Sequence, residues 1–274
     1  MSNYKEIEKS LITKFRKTIW SKFVKGIKEF EMVKDGDRIA VCISGGKDSF
    51  ILAKCMEELK KHGKIDFELK FLVMDPGYNK ENRKRIEANA KKLNLDIHIF
   101  ETDIFNIVDE ITESPCYLCA RMRRGNLYNF AEELGCNKIA LGHHFDDVIE
   151  TILLSVIYGA EFKTMMPKLH STNFTGMQLI RPLYYVREKD LISFAKSHNL
   201  EFLNCACRFT EKNNAEHNEK SKRLFIKNLI KDLKKDNEYI ENNIFNSIFN
   251  VNLNTIISYK DEDKEYHFLN DYDK

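Results

Sequence analysis

The 274-residue sequence contains no long apolar run, and it has little proline or glycine. Its uncharged apolar runs are far shorter than the roughly 18 residues that indicate a membrane span, so no membrane partner is expected. Four Pro and 11 Gly exclude collagen-like and proline-rich linker sequences. The charged N-terminus lacks the apolar stretch and the cleavage site of a secretory signal. These absences predict a soluble, cytoplasmic protein.

The net charge is also small, at +2, so nucleic-acid binding must be argued from local clusters of basic residues rather than from the total. The composition, 43% hydrophobic and 31% charged, allows a sizeable core. The seven cysteines are an odd number in a chain without an export signal. Such usage favours reduced thiols, a metal site or catalytic sulfur over a disulfide framework.

Strand and helix patterns alternate along most of the chain. Short runs rich in β-branched residues predict strands at 38–43, 67–74, 96–101 and 138–141, with helices between them. This order predicts an α/β fold, in which a doubly wound parallel sheet carries helices on both faces. We assign the α/β domain to residues 35–210.

Two further segments flank the α/β domain. Residues 1–34 are predicted to form one basic amphipathic helix, because apolar residues recur at three- and four-residue steps from Ile7 to Phe30. Residues 211–274 are predicted to form a helical extension with an acidic tail, and they include a basic helix at 220–235. Both basic segments are either solvated helix faces or RNA-binding surfaces.

The most specific motif is the segment 44–49 (SGGKDS), which follows the first predicted strand and opens a helix. Adjacent glycines let the backbone approach a ligand closely, and the start of a helix offers unpaired N–H groups and a positive dipole to an anion. Ser44 and Ser49 add hydroxyl donors, and Lys47 adds charge. The spacing matches neither a Walker A loop nor a dinucleotide fingerprint. It resembles the SGGxDS loop of the PP-loop ATP pyrophosphatase superfamily.

A second candidate site follows the predicted strand 138–141, where Asp146 and Asp147 open a helix. Two carboxylates there can hold Mg²⁺ that bridges phosphates, or they can be an acidic pair favoured by the helix dipole alone. Beside the segment 44–49 we favour the Mg²⁺ site, with Asp48 as a further ligand.

Two close cysteine pairs lie about ninety residues apart, Cys116/Cys119 in a predicted loop at 114–119 and Cys205/Cys207. Pairs at this spacing can share a metal ion or a cluster. A zinc site commonly has two residues inside each pair, whereas the second pair here has one. A redox dithiol would account for the first pair alone.

Several motifs together resemble the tRNA 2-thiocytidine synthetase family of the same superfamily. Besides SGGKDS they are 116–128 (CYLCARMRRGNLY), 141–151 (LGHHFDDVIET), 165–169 (MMPKL) and 181–188 (RPLYYVRE). The resemblance covers about residues 10–210. It implies an ATP-dependent tRNA sulfurtransferase. Such an enzyme adenylates the C2 oxygen of an anticodon-loop cytidine (position 32 in the family) and replaces it with sulfur delivered at a 4Fe–4S cluster.

The resemblance also implies the site residues. The cluster ligands would be Cys116, Cys119 and Cys207, with Cys205 as the alternative third ligand, because this chain has Cys-Ala-Cys where the family places two residues between two cysteines. Arg123 would contact the α-phosphate. The expected catalytic residues are Lys47, Asp48, Asp147 and Arg123; the expected Mg²⁺ ligands are Asp48, Asp146 and Asp147. The expected ATP-binding residues are Ser44, Gly45, Gly46, Lys47, Asp48, Ser49, Gly142 and His143.

The expected partners are tRNA and a sulfur donor, such as a cysteine desulfurase or free sulfide, and homodimer formation is expected by analogy with the family. Three alternatives stay open. The chain can be a PP-loop enzyme that thiolates or desulfurates another nucleobase or small molecule, or a lysidine synthetase, which does not need the cysteines. It can also be a non-catalytic, nucleotide-binding redox sensor.

Overall fold

The computed structural model describes residues 4–109, 115–203, 222–261, 264–270 and 272. Its main element is a six-stranded sheet with the order β3-β2-β1-β4-β6-β5. Neighbouring strands are parallel except for the edge strand β5, which is antiparallel to β6. The strands are β1 (Arg38–Ile43), β2 (Glu68–Asp75), β3 (Ile97–Glu101), β4 (Lys138–Ala140), β5 (Lys168–His170) and β6 (Gln178–Ile180), with a separate hairpin of β7 (Ser258–Asp261) and β8 (Lys264–His267).

Helices connect the strands and extend the chain at both ends. They are α1 (Tyr4–Ile12), α2 (Ser21–Glu29), α3 (Lys47–His62), α4 (Lys80–Leu93), α5 (Ile104–Asp109), α6 (Pro115–Glu133), α7 (Phe145–Gly159), α8 (Glu188–Ser197), α9 (Lys222–Asp236) and α10 (Ile240–Ser247), with a π-helical turn at Arg16–Trp20 and 3₁₀ turns at Leu253–Thr255 and Phe268–Asn270.

The central strand β1 is buried on both faces of the sheet. Ile39 and Val41 belong to the core that includes α3, whereas Ala40 and Cys42 pack in a second core with Tyr128 of α6. Successive side chains of a strand point to opposite faces, so α3 and α6 cover opposite faces of the sheet. The prediction of an α/β fold with a doubly wound parallel sheet is confirmed, and the sheet is parallel except for its edge strand β5.

The single long N-terminal helix predicted from Ile7 to Phe30 is wrong in detail. The structure divides it into α1, the π-helical turn and α2. The buried side chains recur every four residues, whereas an α-helix turns about 100° per residue and would rotate such a stripe by about 40° at each step. The wider π turn offsets part of this rotation and keeps the stripe in the core beside α3, α4 and α8. Its members are Ile7, Leu11, Phe15, Ile19, Phe23 and Ile27.

The loop predicted at 114–119 is also wrong, because α6 already begins at Pro115. Proline suits the first position of a helix, since its missing N–H would have no partner there and its φ angle is already helical. Cys116 and Cys119 therefore lie in the first turns of α6 rather than in a tight loop.

The helical extension is present as α9 and α10, which pack on α7. Ile226 and Ile230 of α9 and Phe245 of α10 share a buried core with Ile149 and Ile152. The hairpin β7/β8 follows, which the sequence analysis did not predict. None of the described helices combines the length and the apolar character of a membrane span. The domain boundaries at 34 and 210 stay predictions.

Candidate active site

A cavity of about 390 Å³ opens at the carboxyl ends of β1, β2 and β4. The strand order reverses between β1 and β4, with β2 beyond one and β6 beyond the other. In open parallel sheets, ligands bind at such a switch point. Apolar side chains such as Met74, Leu127 and Leu141 line one part of the cavity. The charged lining residues are Asp48, Arg123, Asp147 and Arg223.

The SGGKDS segment forms one wall of this cavity. Gly45 has a φ of +88°, and a Cβ atom there would lie 2.8 Å from Leu203 Cδ1, so the position requires glycine. Ser49 Oγ donates to the Gly46 carbonyl at 2.9 Å and accepts from the Ser44 N–H at 3.1 Å. None of the described side chains caps the start of α3, so its first N–H groups can bind an anion.

Lys47 and Asp48 begin α3. Lys47 Nζ lies 3.2 Å from Asp48 Oδ2 and 3.3 Å from Glu188 Oε1, and Lys47 does not line the cavity. Asp48 Oδ1 is buried without a hydrogen-bond partner among the residues that the structure describes, and burial raises the pKa of Asp48. An orphaned carboxylate oxygen facing a cavity fits a cation ligand such as Mg²⁺.

Gly142 and His143 follow β4 and face the phosphate loop. A Cβ atom at Gly142 would lie 3.0 Å from Asp48 C and from Ser49 N, so only glycine allows this approach of two backbones. Burial, together with Arg181, lowers the pKa of His143 to about 4. The ring is therefore neutral at pH 7, and its buried Nδ1 has no hydrogen-bond partner within the described part of the chain.

The structure separates the two aspartates that open α7. Asp147 lines the cavity, and its Oδ2 accepts from the His144 N–H at 3.0 Å in a capping box. Asp146 does not line the cavity: its oxygens accept from Arg187 Nη2 at 3.0 Å and from the Glu188 N–H at 2.7 Å. Asp48 and Asp147 therefore form the acidic pair of the cavity, and the Asp147 charge adds to the raised pKa of Asp48.

Arg123 reaches the cavity from α6 and contacts a tyrosine that the sequence analysis missed. Arg123 Nη2 donates to Tyr78 Oη at 3.4 Å, and Tyr78 Oη donates to the Ser44 carbonyl at 3.4 Å. Tyr78 is oriented by the turn after β2, where Asp75 Oδ1 accepts from the Tyr78 N–H at 2.6 Å. Cys119 lies one turn before Arg123 on the same face of α6. The sequence feature that pointed to Tyr78 was its position after the second predicted strand.

Arg223 is the second missed residue. It belongs to the first turn of α9, far from the other motifs in sequence, yet it lines the cavity and its Nη2 lies 3.1 Å from Asp147 Oδ1. No sequence signal distinguished it from the other basic residues of the segment 220–235.

The expected cluster ligands are described only in part. Cys119 is buried, Cys116 is placed as backbone within α6, and Cys205 and Cys207 lie outside the described residues. Within the described part of the chain, no three His, Cys, Asp or Glu side chains are grouped to hold a metal ion. The 4Fe–4S ligand set stays a prediction.

The fold and the cavity define a nucleotide-binding α/β protein of the PP-loop class, and a family model for the PP-loop domain matches residues 16–230. Curated relatives show which family within this class the chain belongs to. A tRNA-cytidine(32) 2-sulfurtransferase from Alcanivorax borkumensis is 38% identical over 212 residues, 75% of this chain and 73% of the relative. One from Aliivibrio fischeri is 39% identical over 226 residues, 80% and 72% of the two chains. This chain belongs to the tRNA-cytidine(32) 2-sulfurtransferase family.

A solved structure supports the same fold. The U34-tRNA thiolase from Methanococcus maripaludis, which was solved with its [4Fe–4S] cluster, superposes with a TM-score of 0.65 at 22% identity, over 82% of this chain and 75% of that chain. The likeness confirms the arrangement of the sheet and its helices.

Proposed function

We propose that this chain is an ATP-dependent tRNA sulfurtransferase that exchanges the C2 oxygen of cytidine 32 in the anticodon loop for sulfur. The observation that carries the proposal is the contact between the phosphate loop and α6. Tyr78 joins the Ser44 carbonyl to Arg123, one helical turn from Cys119. The relatives described above are named tRNA-cytidine(32) 2-sulfurtransferases, and these names suggest the substrate.

ATP would lie with its phosphates on the start of α3. The open N–H groups after Gly46 and the hydroxyl of Ser44 would bind the phosphate oxygens, and the apolar lining near Met74 and Leu127 would receive the adenine. Lys47 would neutralise phosphate charge once the nucleotide competes with Asp48 and Glu188 for its ammonium group. Gly142 and His143 would close the other side of the pocket.

The chemistry needs activation, because an amide-like oxygen is a poor leaving group. The C2 oxygen attacks the α-phosphorus, the bond to the β-phosphate oxygen breaks, and pyrophosphate leaves. Sulfide then adds to C2 and AMP leaves with the original oxygen, which gives 2-thiocytidine. Arg123 would stabilise charge that develops on the α-phosphate.

Asp48 and Asp147 are the residues that would hold Mg²⁺, since both line the cavity and no described residue forms a hydrogen bond with Asp48 Oδ1. A bound Mg²⁺ would supply charge neutralisation at the phosphates. Cys116, Cys119 and Cys207, with Cys205 as the alternative, would hold a 4Fe–4S cluster, which supplies a binding site for the incoming sulfide. Leu203, two residues before Cys205 in sequence, donates its N–H to the Gly45 carbonyl at 3.1 Å, which supports ligands near the phosphate loop.

The sulfur donor would be a cysteine desulfurase or free sulfide, and the enzyme would work in the cytoplasm, with a homodimer as its proposed state. The basic residues of the N-terminal segment, such as Lys14 and Lys17 on its exposed side, would contact the tRNA backbone.

The test combines cluster analysis with tRNA chemistry. The chain is purified anaerobically and its iron and sulfide are quantified; it is then incubated with ATP, Mg²⁺, sulfide and unmodified tRNA, and the nucleosides are measured by mass spectrometry. We expect 2-thiocytidine from the wild type. Cys119→Ser should lose iron and product, whereas Cys136→Ser, a matched change at another buried cysteine, should keep both. A wild type that releases pyrophosphate but forms no 2-thiocytidine would refute the substrate.

A further inference from the structure

We propose that Arg223 of α9 binds the phosphate chain of the nucleotide, so that the C-terminal helix completes the ATP site of the α/β core. The inference rests on the proposed ATP chemistry and adds a phosphate ligand from outside the known motifs of the chain.

Packing fixes where Arg223 points. Residues 223, 226 and 230 follow one face of α9 at helical spacing, and Ile226 and Ile230 are buried against Ile149 and Ile152 of α7. Arg223 therefore faces the beginning of α7. There its Nε lies 2.7 Å from Glu150 Oε2 and its Nη2 lies 3.1 Å from Asp147 Oδ1.

A bound triphosphate would need positively charged side chains in the cavity. A triphosphate carries several negative charges, yet only two cationic side chains, Arg123 and Arg223, are among the described residues that line the cavity. They come from α6 and α9, two helices far apart in sequence. A guanidinium group carries five N–H donors in a planar fork that matches phosphate geometry. Arg223 can thus keep Glu150 and still bind a phosphate.

The contacts of Arg223 allow this exchange without loosening the fold. If Nη2 leaves Asp147, the other oxygen of Asp147 still accepts the His144 N–H at 3.0 Å, and the start of α7 keeps its cap. Nε can remain on Glu150, a carboxylate that is only 6% exposed, so α9 stays anchored while the guanidinium turns from a carboxylate to a phosphate.

The experiment measures the binding of α,β-methylene-ATP and of adenosine to the full, anaerobically purified chain by titration calorimetry. Loss of Arg223 alone would leave the buried Glu150 carboxylate unpaired and destabilise the protein. We therefore compare Glu150→Gln with the double variant Glu150→Gln/Arg223→Gln. Lys231→Gln is the charge control, because it removes one positive charge from an exposed position of α9, about 12 Å along the helix axis.

We expect the double variant to bind α,β-methylene-ATP about tenfold or more weakly than Glu150→Gln, with adenosine binding unchanged and Lys231→Gln equal to the wild type. If Glu150→Gln and the double variant bind the analogue with equal affinity, the role of Arg223 is overturned. It is also overturned if the double variant loses as much affinity for adenosine as for the analogue. A wild type that binds no analogue would refute the proposed function as well. If the double variant does not fold in a thermal melt, Arg223→Lys, which keeps the charge but not the fork, is measured in the same way.

Discussion

The segment after β4 approaches the start of α3 so closely that Gly142 is sensitive to any added side chain. In Gly142→Ala the new methyl group would lie 3.0 Å from the Asp48 carbonyl carbon and from the Ser49 nitrogen. Both atoms belong to the backbone of the first turn of α3, so the clash cannot be relieved by rotating a side chain. The two segments must separate by a few tenths of an ångström, and inserting a methyl group into packed structure costs about 1–3 kcal/mol.

The shift would also move the N–H groups that are proposed to bind the phosphates. We therefore expect Gly142→Ala to lower the free energy of unfolding in urea by about 1–3 kcal/mol and to weaken the binding of α,β-methylene-ATP in calorimetry. Gly125→Ala is the matched control, because a Cβ at Gly125 in α6 meets nothing within 4 Å, and alanine in place of a helical glycine stabilises by roughly 0.5–1 kcal/mol. A Gly142→Ala variant as stable and as tightly binding as the wild type would refute the reasoning.

Three further predictions follow from the same structure. The pKa of His143 is lowered to about 4 from its ordinary 6.5, so the unfolded chain binds more protons than the native state between these values, and stability should fall as the pH decreases from about 6.5 to about 4. His143→Gln should flatten that part of the profile in urea unfolding; an unchanged slope would contradict it. Tyr78→Phe removes the hydroxyl between Arg123 and the phosphate loop, and it should lower kcat by about 3- to 10-fold with tRNA affinity unchanged; an unchanged kcat would exclude the role. Deleting residues 1–34 removes a buried apolar stripe and should therefore lower the melting temperature. A truncated chain that keeps the native melting temperature would show that the segment is a separate domain.

The sequence predicts the sheet well, because buried parallel strands are short β-branched runs that local patterns identify. The predicted strands 38–43 and 138–141 agree with β1 and β4 to within one residue. The sequence predicts the N-terminal segment less well. Apolar residues three or four apart indicate one helical face but do not distinguish a continuous α-helix from α1, a π turn and α2.

The candidate site likewise contains some residues that the sequence predicts and others that it does not. Local chemistry and resemblance identified residues 44–49, Gly142 and Asp147. Of these, Ser44, Asp48, Ser49, Gly142 and Asp147 line one cavity. Tyr78 had only its position after a predicted strand as a signal, and Arg223 had none. Their roles arise from tertiary contacts: a hydroxyl 3.4 Å from a backbone carbonyl, and a guanidinium brought in by the packing of two distant helices.

The basic helix α9 shows why local charge in a sequence does not establish a nucleic-acid surface. From the sequence alone, its positive residues fit an RNA-binding surface as well as a solvated helix face. In the structure Arg223 pairs with Asp147 and Glu150, and Lys227 Nζ lies 2.6 Å from Glu188 Oε2. Glu188 also contacts Lys47 of the phosphate loop, so Lys227 belongs to an ion-pair network beside the cavity, whereas Arg223 lines the cavity itself. Several positive residues of α9 are thus paired with carboxylates around the cavity, and through these contacts α9 joins the C-terminal extension to the α/β core.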